Sequence, residues 1–155
     1  MLGDRERKLE SLGYPLDRVP GVGAIYKPVV IDGTTVYTSG CVPFDGDRLA
    51  SKGKVPSQVP LEDARRAAAL CAANVLRHVR RAVGSLDRIA RVLKMVGYVN
   101  SDLDFTEQHL VINGASELLR EVLGDDGIGV RTAIGMGALP LGSSTEVDII
   151  FQLKE

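Results

Sequence analysis

The sequence predicts an α+β domain, with strands and helices in the order ββ(β)αβαββ and both long helices packed on one face of a mixed sheet. Three observations predict it. An Asp32-Gly33 step joins two β-rich runs, which is a strong hairpin signal because both residues tolerate positive φ. Ala64, Ala67, Ala68, Cys71, Val75, Val79 and Ala82 recur at spacings of three and four, the stripe of an amphipathic helix. The β-branched run 90–99 then sits between that helix and a second helical pattern. Hairpins mixed with helix-connected strands argue for a mixed sheet rather than a doubly wound parallel one.

In chain order, residues 4–12 form a short helix with Leu9 and Leu12 as its apolar contacts, and Pro15 closes it by biasing Tyr14 toward extended backbone. Residues 1–19 are read as an N-terminal extension of a single domain covering 1–155. Two strands follow, Ala24 to Val30 and Thr34 to Ser39. Residues 44–54, polar and Gly-containing, hold at most a short edge strand. The first long helix begins near Pro60, with Glu62 and Asp63 at the positive end of its dipole, and Gly84 stops it. The small residues on its stripe predict close packing onto the sheet.

Residues 90–99 form a central strand, and the second long helix runs from about Asp104 to Leu123, with Gly124 as its stop. The last strands, roughly Val130–Gly137 and Thr145–Leu153, flank a turn near Leu141 and are expected to pair as a hairpin. Apolar residues on both sides of several strands predict that the helix-free face of the sheet is covered by another copy of the chain.

Composition narrows the function. A chain of 155 residues, 45% hydrophobic and 25% charged, fits one globular domain. Its 19 basic and 20 acidic residues give a net charge of −1, without the basic excess of a domain that lives on phosphate backbones. No apolar run approaches the roughly 18 residues of a membrane span, and the N-terminus lacks a signal-peptide core. Cys41 and Cys71 make neither a disulfide framework nor a zinc cluster, and His78 and His109 have no ligand spacing with them. The expectation is a cytoplasmic protein with reduced thiols, no metal and no cofactor. The two histidines are expected on helix surfaces. Gly127, Gly129, Gly135 and Gly137 miss the dinucleotide-binding spacing and precede no helix.

Two residues suggest chemistry. Arg131 opens an apolar, glycine-rich strand, and a guanidinium matches a carboxylate bidentately while staying charged when partly buried. The alternative is an edge arginine in a surface ion pair. Glu146 opens the last strand, where a carboxylate could orient or deprotonate a water; the alternative is a solvated charge at a strand end. If the closing hairpin turns near Leu141, the two lie about five residues apart along the ladder, roughly 16 Å, too far for one chain to hold a small ligand with both. A shared site would then lie between subunits.

The segment Ala24-Ile25-Tyr26 through Thr38-Ser39-Gly40-Cys41-Val42-Pro43 resembles the tyrosine-containing first strand and SGQ-x-P segment of the Rid (YjgF/YER057c/UK114) family, formerly called the endoribonuclease L-PSP family. Lys94 to Asn100 with Asp104-Phe105 resembles its K-x-x-V-F-V … D-F passage, and Arg131, Leu139-Pro140 and Glu146-Val147 resemble its closing signature. The likeness covers nearly the whole chain from about residue 20 and is to a divergent branch, with Cys41 in place of the glutamine and Ala133 where the deaminases often carry cysteine.

The resemblance implies a chorismate-mutase-like fold, a homotrimer with clefts between subunits, and hydrolytic deamination of 2-imino acids or enamines to 2-oxo acids and ammonia. By that likeness Arg131 would clamp the substrate carboxylate and Glu146 would position the water. Tyr26 would line the pocket, Asn113 would contribute from the second helix, and Ser39, Gly40 and Cys41 would lie near the ligand. A non-catalytic carboxylate-binding protein is the alternative use of the same cleft. RNA cleavage is disfavoured by the charge balance and by the lack of an aromatic stacking platform.

Overall fold

The computed structural model describes all residues, 1–155. Helix α1 spans Asp4–Ser11, and strands β1 (Val29–Asp32) and β2 (Thr35–Thr38) follow. Strands β3 (Phe44–Asp45) and β4 (Arg48–Leu49) form a separate two-residue ribbon. Then come α2 (Leu61–Val83), β5 (Ile89–Asn100), α3 (Gln108–Leu123), β6 (Val130–Met136) and β7 (Thr145–Leu153). The five main strands form one mixed sheet in the order β1-β2-β7-β5-β6, with β5 and β6 parallel and the other pairs antiparallel.

The Asp32-Gly33 signal marks a true hairpin: Asp32 pairs with Thr35 across the turn, and Gly33 takes φ +59. The first strand is shorter than expected. Residues 24–28 lie outside it, so Tyr26 precedes β1 instead of belonging to a strand. Helix α3 likewise begins at Gln108 rather than near Asp104, because residues 102–105 are folded into a turn. In that turn Phe105 N–H bonds to Asp102 O, while the Asp102 carboxylate accepts from the Ser57 amide and hydroxyl at 2.9 Å each.

The expected closing hairpin does not form. Strand β6 follows β5 through a helix, and such a unit pairs its strands side by side and parallel. Residues 137–144 then carry the chain across the end of β5, with Ser101 N–H on Met136 O and Asn100 N–H on Ser144 O. Strand β7 consequently enters between β2 and β5, in the centre of the sheet.

Both long helices cover one face. Val147, Ile149, Phe151 and Leu153 alternate inward along β7 and are buried with Met95 and Val99 of β5 against α2 and α3. The alanine-rich stripe lets α2 lie close to the sheet, with Cys71 Sγ 3.4 Å from Thr145 Oγ1. A side chain at Gly114 would run into the backbone of Arg65, which is what brings α2 and α3 together. His78, expected on a helix surface, is buried instead, because α2 is covered on more than its sheet-facing stripe. The short α1 is docked as well: its first amides bond to the Asp87 carboxylate, Leu9 enters the core, and Glu6 Oε1 accepts from Leu86 N–H at 2.7 Å.

The opposite sheet face carries no helix of this chain. Val30, Tyr37, Val130, Ile134 and Met136 are exposed there, together with the polar side chains of Glu146 and Asp148. No helix is long and apolar enough to cross a membrane.

Candidate functional site

Arg131 occupies the edge strand β6, paired with Met95, and its side chain reaches over the helix-bearing side of the sheet to α3. Its Nη1 donates to Asn113 Oδ1 at 2.8 Å and to Ser116 Oγ at 3.0 Å, and its Nη2 donates to His109 O at 3.1 Å. All three acceptors are neutral. No carboxylate lies within ion-pairing distance, so the surface ion pair considered from the sequence does not form. Partial burial pushes the guanidinium pKa down from its ordinary value without offering a countercharge. A guanidinium has five N–H donors. With three committed, Nε–H and one Nη2–H remain, two donors on adjacent nitrogens, as a carboxylate takes them.

Glu146 belongs to a different neighbourhood. It alternates with buried Val147 and so points to the helix-free face, where it lies against Gly40 closely enough that a side chain at position 40 would overlap its carboxylate. The neighbouring backbone is fixed by reciprocal bonds, Cys41 N–H to Val147 O at 2.8 Å and Val147 N–H to Cys41 O at 3.0 Å. Ser39 continues this segment and ties it to the stretch after Tyr26, its amide on Pro28 O and its hydroxyl on Lys27 O. Tyr98 sits opposite Glu146 on β5 and donates its hydroxyl to Asp148 Oδ2 at 2.8 Å.

Desolvation, then repulsion from Asp148, raises the Glu146 pKa above the ordinary carboxylate value. Tyr98 is pushed up to about 12, first by burial and then by its bond to Asp148. Burial followed by the nearby Glu146 charge holds the Cys41 thiol at about 12, so it stays protonated at neutral pH and is no nucleophile. Cys71 is shifted upward too, chiefly by burial. No group of His, Cys, Asp and Glu side chains is arranged to hold a metal ion.

The structure therefore brings the candidate residues together in two sets: Arg131 with Asn113, and Glu146 with Ser39, Gly40 and Cys41, with Tyr26 in the stretch that Ser39 anchors. It does not bring the two sets together within one chain. Met95 joins Arg131 to Ile149 across the sheet, and Tyr98 joins Ile134 to Glu146, so the two residues are three positions apart along the strands and two strands apart. That is about 14 Å between backbones, from the usual rise and strand spacing, before counting that the side chains leave opposite faces. The separation expected from a hairpin was obtained from the wrong pairing, yet within one chain the two residues remain too far apart to hold one small ligand.

Sequence reasoning missed Ser116, Tyr98 and Asp148. Ser116 follows Asn113 by three positions, so helical periodicity could have found it. The Tyr98–Asp148 contact depends on β7 lying beside β5, which no local pattern announces.

The family described as "YjgF/chorismate mutase-like, putative endoribonuclease" matches residues 6–153. Among known proteins, Protein TCP17 of Trypanosoma cruzi is 34% identical over 147 residues, 94% of this chain and 92% of that protein. The crystal structure of Atu1372 from Agrobacterium tumefaciens, a protein of unknown function, is 42% identical and superposes with a TM-score of 0.89, covering 97% of this chain and 92% of that one. RidA from the Antarctic bacterium Psychrobacter sp. PAMC 21119 is 25% identical, with a TM-score of 0.62 over 88% of this chain and 95% of its own. The sheet order, the helix-free face and these likenesses lead to one conclusion: the chain belongs to the YjgF/RidA-like family and has its chorismate-mutase-like fold.

Proposed function

We propose that this protein hydrolyses 2-imino acids or enamines to 2-oxo acids and ammonia in clefts between copies of the chain, with Arg131 from one copy and Glu146 from its neighbour. The observation that carries the reading is the unpaired Arg131 fork, held in place by neutral acceptors with two donors left over. A ligand carboxylate would supply the missing countercharge. The helix-free face, with exposed Val30, Tyr37, Val130, Ile134 and Met136, supports self-association, because burying those side chains removes apolar surface from water, and the likeness to the family points to a homotrimer.

In this reaction a water adds across the C=N bond. Its oxygen bonds to the carbon, while Glu146 accepts one of its protons and passes it to the nitrogen. The C–N bond then breaks, with the electron pair leaving on ammonia. The new hydroxyl loses its proton, through Glu146, to the departing nitrogen and becomes the oxo group. A carboxylate whose pKa is raised toward neutrality suits both proton transfers.

Replacement of the family's glutamine by Cys41 favours one competing reading, carboxylate binding without catalysis. RNA cleavage fits the site poorly, because Glu146 and Asp148 face outward together without a basic partner and would repel a phosphate chain.

The test follows the disappearance of freshly generated imino acids in an amino acid oxidase reaction, with wild type and Arg131→Ala side by side. Acceleration by the wild type alone, with Arg131→Ala still folded, is the expected result. Binding of 2-oxo acids without acceleration would replace catalysis by a binding role. An Arg131→Ala protein that works normally would sink the assignment.

A further inference from the structure

The space beside Arg131 carries information about what the carboxylate is attached to. A pocket of about 240 Å³ opens between α3, β5 and the residues leading into β6. This is below the roughly 300–1,000 Å³ of pockets for drug-sized ligands and matches a molecule of amino-acid size. Its floor is apolar: Val92 and Met95 are each 3% exposed and Leu119 1%. Ile128, 43% exposed, forms the outer wall.

The polar side chains of the inner part hold Arg131. Asn113 and Ser116 line the pocket, and both accept from Arg131 Nη1. The remaining charged residue, Arg120, lies exposed at the rim without an acidic partner. Gly127 and Gly129 keep the space open in a specific way. A Cβ at Gly129 would lie 2.6 Å from Val92 O, and one at Gly127 would meet the backbone of Leu119 and Arg120. The segment therefore presses its bare backbone against β5 and α3, and Ile128 is the one side chain it contributes to the pocket.

We infer that this pocket is a specificity subsite for the apolar side chain of a 2-imino or 2-oxo acid of about leucine or methionine size, whose carboxylate lies on the Arg131 fork. The inference rests on the reading of Arg131 as a carboxylate clamp and adds the substrate class to it. Branched or thioether side chains gain by leaving water for the floor of Val92, Met95 and Leu119. A short side chain leaves the floor unfilled, and a second carboxylate would lose its hydration against that apolar floor.

Two measurements test it together. Hydrolysis is followed for imino acids made from L-leucine, L-methionine, L-alanine and L-glutamate. Binding is measured by calorimetry for 4-methyl-2-oxopentanoate, pyruvate and 2-oxoglutarate. The leucine- and methionine-type acids should exceed the alanine- and glutamate-type acids by about tenfold or more in kcat/KM or affinity, the scale a few methylenes give in an apolar pocket. Ile128→Trp, at an exposed wall, should erase that advantage. Met95→Ala, which deepens the floor, should move the preference toward larger side chains.

A flat profile, or a preference for the glutamate-type acid, would overturn this inference and leave the carboxylate clamp standing, provided that Arg131→Ala still abolishes binding. A total lack of binding and turnover with every acid would overturn both.

Discussion

The neighbourhoods of Arg131 and Glu146 are built in opposite ways. Around Arg131 a single cation is surrounded by neutral acceptors and an apolar floor, and nothing in the chain answers its charge. Around Glu146 two carboxylates share a strand face with a tyrosine, without a cation within ion-pairing distance. Left alone, each arrangement costs electrostatic free energy, since a partly desolvated charge is stabilised by a partner. The two are complementary in sign and lie on opposite faces at different strands, so a single copy cannot neutralise one with the other. In the assembly proposed above, two copies would do so, with a small carboxylate and a water between them.

The largest effect expected from this comparison is complementation. Arg131→Ala and Glu146→Gln proteins should each lose about 100-fold or more in turnover, the scale for losing a charge-paired ligand contact or a proton-transfer group. Unfolded together and refolded as a mixture, they should regain activity, because some clefts then join an intact Arg131 to an intact Glu146. A mixture as inactive as its components would mean that the two neighbourhoods do not meet across copies.

A smaller effect separates binding from proton transfer. Glu146→Gln should lower turnover far more than 2-oxo acid affinity, whereas equal losses would argue for a purely binding role. In the wild type, activity should fall on the acid side as Glu146 becomes protonated, at a pH above the ordinary carboxylate range because its pKa is raised. Asp148→Asn removes the repulsive cause and leaves desolvation, so this limb should move to lower pH, as a pH–rate profile would reveal. The same sign governs stability. A carboxylate with a raised native pKa weakens the fold above that pKa, and the penalty is relieved as pH falls through it. Glu146→Gln should therefore match or exceed the wild type in stability at neutral pH and lose that margin below the ordinary carboxylate range.

The smallest expected effect is chemical silence at Cys41 and Cys71. With both thiols held upward by burial, the folded protein should react with a disulfide reagent at pH 8 far more slowly than the unfolded chain. Rapid labelling of Cys41 would mean that the Glu146 neighbourhood is more open than the structure has it.

The likenesses fit this division. The Agrobacterium protein superposes at a TM-score of 0.89 and Psychrobacter RidA at 0.62, so the family fold is common ground while the detailed geometry follows the former. Arg131, singled out by its chemistry, and Asn113, singled out by likeness to the family, are in direct contact here. Ser39, Gly40 and Cys41 do adjoin the Glu146 strand, whereas Tyr26 lies in an irregular stretch before β1.

What the sequence determined by itself was local. The Pro60 start and Gly84 stop bracket α2 because a proline suits the first turn and Gly84 accepts φ +90 at the end. Asp32-Gly33 set a hairpin, and the alternation of Val147, Ile149 and Phe151 set which side of β7 is buried. Sheet order was decided only by the tertiary structure. Whether β7 pairs with β6 or inserts between β2 and β5 depends on the whole α3 crossover and on the path of residues 137–144 across the end of β5. Short-range patterns carry no term for that choice, because strand partners far apart in sequence are selected by the burial and hydrogen bonding of the complete sheet. That choice is what put Tyr98 beside Asp148, and what set Arg131 and Glu146 on opposite faces.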